Sequence, residues 1–142
     1  MQNLPQKRSA AAVWSGALAI IATCVSMAAM SETLTLTGAN EVPPVTSSAT
    51  GTAMITIGAN KSVKADVSVS GMTATASHIH MGAAGTNGPV IVPFAKTGDN
   101  KFGAAPDAKL TDEQYAAYKA GNLYVNVHSA ANPGGEIRAQ IK

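Results

Sequence analysis

The sequence predicts an all-β protein, an antiparallel β-sandwich with one short helix. Apolar and polar residues alternate with period two through most of the chain after Glu32, as expected for half-buried strands. Clusters of Gly, Pro and Asn separate these runs, and a single segment carries both helix start and helix stop signals. With 142 residues, the chain is long enough for one ordinary domain and too short for two.

The predicted strands follow the alternation closely. Apolar residues at every second position, or short apolar runs between turns, predict seven strands at 33–37, 52–57, 62–70, 76–81, 90–94, 123–127 and 136–141. Pro93 interrupts the fifth run, and this indicates an edge strand or a bulge, because proline cannot donate to the ladder. Many short antiparallel strands with one helix favour two packed sheets.

One helix is predicted at 111–119. Thr111 stands three residues before Gln114, the spacing of a capping box, and acidic residues fill the first turn. Lys119 lies in the last turn and Gly121 follows as the stop signal.

The N-terminus is predicted to be a secretory signal peptide at 1–28. Lys7 and Arg8 precede a largely apolar run from 10 to 30, with small residues before a cleavage point after Ala28. Two alternatives stay open: an uncleaved membrane anchor, and a lipoprotein with an imperfect lipobox ending at Cys24. The expected location is periplasmic or secreted, with membrane association only if this segment is retained or lipidated.

Composition excludes several classes of function. Lys7 and Arg8 are the only charges before Glu32, so the ten basic residues less these two leave eight, against eight acidic ones. A neutral body argues against nucleic acid as a partner, because that binding relies on neutralising phosphates. A single cysteine excludes a disulfide scaffold and a multi-cysteine zinc or iron–sulfur site.

The three histidines are the most informative residues for function. His78 and His80 flank Ile79 on a predicted strand, so both imidazoles project from one side, ~7 Å apart at the backbone. His128 ends another strand and lies on the face opposite its regular apolar residues, together with Tyr124. If these strands are neighbours, three nitrogens converge as ligands for one transition-metal ion. The alternative is a solvent-exposed polar face on which the three histidines lie by chance, without binding a metal.

Glu136 and Arg138 share a face of the last predicted strand. One interpretation is a solvent-exposed ion pair that contributes little to the stability of the fold. The functional interpretation is a residue pair beside the metal, with Arg138 drawing anions towards it. No nucleophile–base–acid arrangement is readable, and the sequence therefore favours a protein without enzymatic activity.

Several motifs together resemble the CHRD (chordin-type) domain, over 32–142. They are Glu41-Val42-Pro43-Pro44, His78-Ile79-His80-Met81-Gly82, Gly85-Thr86-Asn87-Gly88-Pro89-Val90, Leu110-Thr111, Gly121, Tyr124-Val125-Asn126-Val127-His128 and Gly135-Glu136-Ile137-Arg138. This resemblance implies a β-rich extracellular or periplasmic module of the bacterial secreted type, and it implies no established activity.

A looser resemblance is to copper/zinc superoxide dismutase, and it implies an immunoglobulin-like or superoxide-dismutase-like sandwich. In that family a His-X-His strand and a later strand-end histidine hold copper, and an arginine guides the anion. His78, His80, His128 and Arg138 fall in similar order, but the fourth bridging histidine, the zinc ligands and the disulfide are missing. We therefore expect copper, with zinc second, and a role in copper handling or redox chemistry. The alternatives are a metal-free extracellular interaction module, whose protein partner the sequence does not identify, and a weak dismutase-like enzyme.

Overall fold

The computed structural model describes residues 29–142, so the predicted signal peptide at 1–28, with Cys24, lies outside the described residues. Within this part of the chain there are eight strands, a short 3-10 turn at Gly38–Asn40 after the first strand, and helix α1 at Asp112–Lys119 between the sixth and seventh strands. The strands are β1 (Ser31–Thr37), β2 (Thr50–Ile57), β3 (Val63–Ser70), β4 (Ala74–Met81), β5 (Val90–Gly98), β6 (Lys101–Ala104), β7 (Leu123–Ser129) and β8 (Ile137–Ile141).

The strands form one closed antiparallel barrel, and this corrects the predicted sandwich. Their order around the barrel is β1-β2-β3-β6-β5-β4-β7-β8. Closure depends on a single pairing between β1 and β8, at Thr37 and Arg138. Alternation in the sequence distinguishes the inner from the outer face of each strand, and it is the same in a sandwich and a barrel. The sequence therefore identified the faces but could not tell that the first and last strands meet.

The interior of the barrel contains the apolar residues that the alternation places inside. Leu36, Ile79, Val125 and Ile137 are fully buried in one hydrophobic cluster. Burial of such side chains contributes roughly 1.5–3 kcal/mol each, before the cost of ordering the chain. This core fixes which residues of β4, β7 and β8 must point outwards.

The outer face of β4, β7 and β8 is not the wet face that the sequence predicts. Tyr124 and Asn126 are each 1% exposed there, and Arg138 is 4% exposed. Loop residues cover these side chains, and Thr86 and Glu41 both contact Arg138 directly. We call this covered face the outer polar layer, and its members are His78, His80, Tyr124, Asn126, His128, Arg138 and Gln140.

Two local predictions differ in outcome. The helix is confirmed, since Thr111 and Gln114 form the predicted capping box in both directions. Strand β6 was not predicted, because its four residues are too short for a readable period. It pairs with β5 through 94–98, whereas β4 pairs with β5 through 90–93. Pro93 is therefore paired on one side only, as the sequence predicts for a residue that cannot donate to a ladder on both sides.

No helix within residues 29–142 is long and apolar enough to cross a membrane.

Candidate metal centre

Strands β4 and β7 bring the three histidines together, as the sequence predicts. The two strands are antiparallel neighbours, with His78 opposite Asn126 and His80 opposite Tyr124. His128 pairs with Ala76, so it lies diagonally beside His78 on the same outer face. The ring centroids of His78 lie 5.6 Å from those of His80 and 4.9 Å from those of His128.

The ring nitrogens are close enough to share one ion. One nitrogen from each of the three imidazoles can be chosen so that all lie within 4.8 Å of one another. Two nitrogens bound to one ion at about 2.0–2.1 Å are at most ~4 Å apart, so the rings would have to rotate closer together to bind one ion. His78 Nδ1 and His128 Nε2 are joined by a hydrogen bond of 3.1 Å, and a bound ion would have to replace it.

Two backbone carbonyls fix the orientation of the rings. His80 Nδ1 donates to the Gly88 carbonyl at 2.9 Å, and His128 Nδ1 donates to the Pro133 carbonyl at 2.8 Å. A carbonyl oxygen only accepts, so in both neutral rings the proton is on Nδ1 and the lone pair is on Nε2. Metal-binding histidines in proteins are held in this way, with one nitrogen bonded to a backbone or carboxylate oxygen.

His80 Nε2 is a buried atom without a partner. The side chain is 8% exposed, and Nε2 makes no hydrogen bond. A polar atom left unpaired in this way costs about 1–3 kcal/mol, so its presence calls for a physical reason. An ion bound between the three rings would supply the missing partner.

The surroundings keep two of the rings neutral. Burial, followed by the charges of His128 and His80, lowers the pKa of His78 below its ordinary value. Burial chiefly lowers the pKa of His80, while the hydrogen bonds to Gly88 and to the Asn126 side chain act in the opposite direction. A neutral imidazole is the form that binds metal, so both shifts leave the lone pairs available at neutral pH.

Tyr124 and Arg138 support His80 from the side of β7. The rings of His80 and Tyr124 stack at 4.8 Å and 7°. The Arg138 guanidinium lies 3.9 Å from the Tyr124 ring centroid, and it comes from β8, the neighbour of β7 on the side away from β4. His80, Tyr124 and Arg138 therefore form a stack across three strands, and the Tyr124 hydroxyl accepts from the Gly88 amide at 3.1 Å.

Arg138 is engaged within the protein and does not face solvent. Its guanidinium pairs with Glu41 at 2.9 Å and also donates to the Thr86 carbonyl and to Asn87 Oδ1. Arg138 does not form the solvated pair with Glu136 that the sequence allows, because its partner is the buried Glu41. The role of Arg138 in guiding anions stays a prediction. Its guanidinium N–H groups already donate to Glu41, Thr86 and Asn87.

Glu136 lies in a separate hydrogen-bonded cluster. Its carboxylate accepts from Ser47 at 2.6 Å and from the Ser129 hydroxyl. The hydrogen bonds from Ser129 and then Ser47 lower the pKa of Glu136. Glu136 therefore holds the loop before β8 against the end of β7, and its carboxylate bonds to serines and not to the histidines.

Sequence reasoning missed three supporting residues, which are Glu41, Tyr124 and Asn126. Glu41 is 97 positions from Arg138, so no local pattern could connect them. Tyr124 and Asn126 had one usable signal, because they share a face with His128 in period two. That signal does not single out Tyr124 and Asn126 as supporting residues as long as the face is expected to be exposed to solvent.

The barrel and its histidine cluster define a small β-barrel module with a candidate metal centre on its covered outer face. A comparison with models of known protein families matches residues 33–141 to the CHRD domain, and the chain belongs to that family. CHRD is an extracellular-type domain. Curated proteins and solved structures give no match to this chain.

Proposed function

We propose that this CHRD-domain protein binds one transition-metal ion, copper in the first place, through His78, His80 and His128. The observation that carries the proposal is the convergence of three imidazoles whose ligand nitrogens lie within 4.8 Å of one another. These are all the histidines that the 142 residues contain. Two of them have their second nitrogen bonded to a carbonyl, which supports a common, preorganised centre.

Copper is proposed because of the donor set. Imidazole suits copper and zinc, and copper binds more tightly than other divalent first-row metals at a given site. Three protein ligands leave a position for a further ligand. The role that we propose is copper handling outside the cytoplasm, after export directed by the segment 1–28.

Titration of the full-length chain with copper tests this proposal. A Cys24→Ser background removes the one thiol that would compete for the metal. We expect one equivalent of Cu(II) to bind and to raise the unfolding temperature, since an ion that binds only the folded state stabilises it. The triple variant His78→Gln/His80→Gln/His128→Gln should lose both effects.

A matched control comes from the far side of the barrel. Asp66→Asn removes an exposed carboxylate on β3 and should leave the stoichiometry and the temperature shift unchanged. If the triple histidine variant still binds copper as the parent does, the site is elsewhere and the proposal fails. If the parent binds no metal, the alternative of a metal-free interaction module replaces it.

A further inference from the structure

Asn126 lies in the middle of the three histidines. It is the β7 residue directly opposite His78, and His80 is its diagonal neighbour on β4. His128 follows it by two positions on the same face of β7. The Asn126 side chain is 1% exposed and belongs to the outer polar layer, so it faces the same covered space as the imidazoles.

The Asn126 amide oxygen is buried and has no partner. Asn126 Oδ1 and His80 Nε2 are two of the three buried side-chain polar atoms within residues 29–142 that make no hydrogen bond. His80 Nε2 carries a lone pair, because its Nδ1 donates to Gly88, and an amide oxygen carries only lone pairs. While the ring is neutral, two lone pairs cannot bond to each other, so both atoms call for a shared cation. A metal ion competes for this position with a proton on His80 Nε2, which Asn126 would accept.

The other end of the amide has a different neighbourhood. Asn126 Nδ2 lies 2.7 Å from the position that a Cβ of Gly135 would occupy, and Glu41 Oε1 lies 2.6 Å from the same point. The amide nitrogen therefore lies on the side of Glu41, a carboxylate, where a donor is favoured. Oδ1 lies at the opposite end of the amide, away from that carboxylate.

We propose that Asn126 Oδ1 is a fourth ligand of the metal centre, which makes the donor set three imidazole nitrogens and one amide oxygen. This inference rests on the proposed function, because it assigns a further ligand to the same ion. A carbonyl-type oxygen is a hard donor and adds little for the soft Cu(I) ion. Asn126 therefore sets the preference of the site for a divalent ion over Cu(I).

The experiment compares two ions and two substitutions in the full-length Cys24→Ser chain. Asn126→Leu keeps the branching at Cγ and removes both polar atoms of the amide, and Asn126→Asp keeps the oxygen and adds a negative charge. For Asn126→Leu we expect a loss of about 10- to 100-fold in affinity for Zn(II) and Cu(II), and a change of less than about threefold for Cu(I). Asn126→Asp should bind the divalent ions more tightly than the parent.

The metal-free proteins supply the folding control. The unfolding temperature of Asn126→Leu without metal shows how much of its effect is structural, because leucine is larger than asparagine and the position is 1% exposed. Asn126→Asp should unfold earlier without metal, because it buries an added charge, and should recover on addition of Zn(II).

The outcomes separate the two proposals. Equal effects of Asn126→Leu on Cu(I) and on the divalent ions, or no effect on either, would overturn the role of Asn126 while leaving the three-histidine site in place. Weaker divalent binding by Asn126→Asp would overturn it as well, even if the leucine variant fails to fold. Absence of binding by the parent would instead remove the proposed function.

Discussion

Arg138 and Glu41 form an ion pair that is almost completely withdrawn from solvent, with their side chains 4% and 3% exposed and the charged atoms 2.9 Å apart. The pair joins β8, the last strand, to the loop that follows β1, the first strand. It lies beside the single point where these two strands pair, Thr37 and Arg138. The same guanidinium therefore lies beside the closure of the barrel and against the ring of Tyr124.

The substitution Glu41→Gln should destabilise the protein strongly. It leaves the Arg138 charge buried without its counter-ion, and breaking one partner of a buried pair costs about 3–5 kcal/mol. Urea unfolding followed by circular dichroism measures this difference. Asp112→Asn, in the exposed Lys61–Asp112 pair, is the control and should have a much smaller effect. Equal losses for the two variants would show that the Glu41–Arg138 pair has no special structural role.

Substitutions of Tyr124 should separate its hydroxyl from its ring. Tyr124→Phe removes the hydrogen bond from the Gly88 amide and should cost about 0.5–1.5 kcal/mol, with the stack on His80 retained. Tyr124→Leu also removes the ring between His80 and Arg138, so it should cost more and weaken metal binding. Chemical unfolding and copper titration of both variants measure these effects. Metal affinities that are equal in the two variants would mean that the stack does not position His80.

Stability should decrease as the pH falls below about 6.5. The pKa values of His78 and His80 are lowered in the folded protein, chiefly by burial, so the unfolded chain takes up protons first. The stability that depends on the neutral rings is therefore complete above the unfolded pKa near 6.5 and is lost as the pH falls towards the folded values. Urea unfolding of the metal-free protein between pH 7.5 and 5 measures the slope.

The histidine variants provide the control for this pH dependence. In His78→Gln/His80→Gln the slope between pH 7.5 and 5 should be smaller than in the parent, because these two groups no longer titrate. A slope that does not change would assign the pH dependence to other groups.

Export should remove the N-terminal segment. The pattern of Lys7, Arg8 and the apolar run 10–30 predicts a mature N-terminus near Ala29 or Ser31. Intact mass measurement of the protein recovered from its native host checks this. An intact protein that begins at Met1 and is recovered from the cytoplasm would contradict the prediction.

Only part of the histidine site can be predicted from the alternation of residues along single strands. His78 and His80 share a face because side chains alternate along a strand, and the sequence alone established this. The same alternation put Tyr124, Asn126 and His128 on one face of β7. Whether β4 and β7 are neighbours depends on the order of strands in the sheet, and alternation carries no information about that order.

By itself, the sequence determined the period-two strands, their inner and outer faces, the capped helix and the candidate ligands, because each depends on residues close together in the chain. Only the tertiary structure decided that the sheet closes, that loops cover the outer face of β4, β7 and β8, and that Glu41 meets Arg138 across 97 positions. The physical reason is that burial and pairing of these polar groups depend on loops and strands that are distant in sequence. Their contacts exist only once the chain has folded.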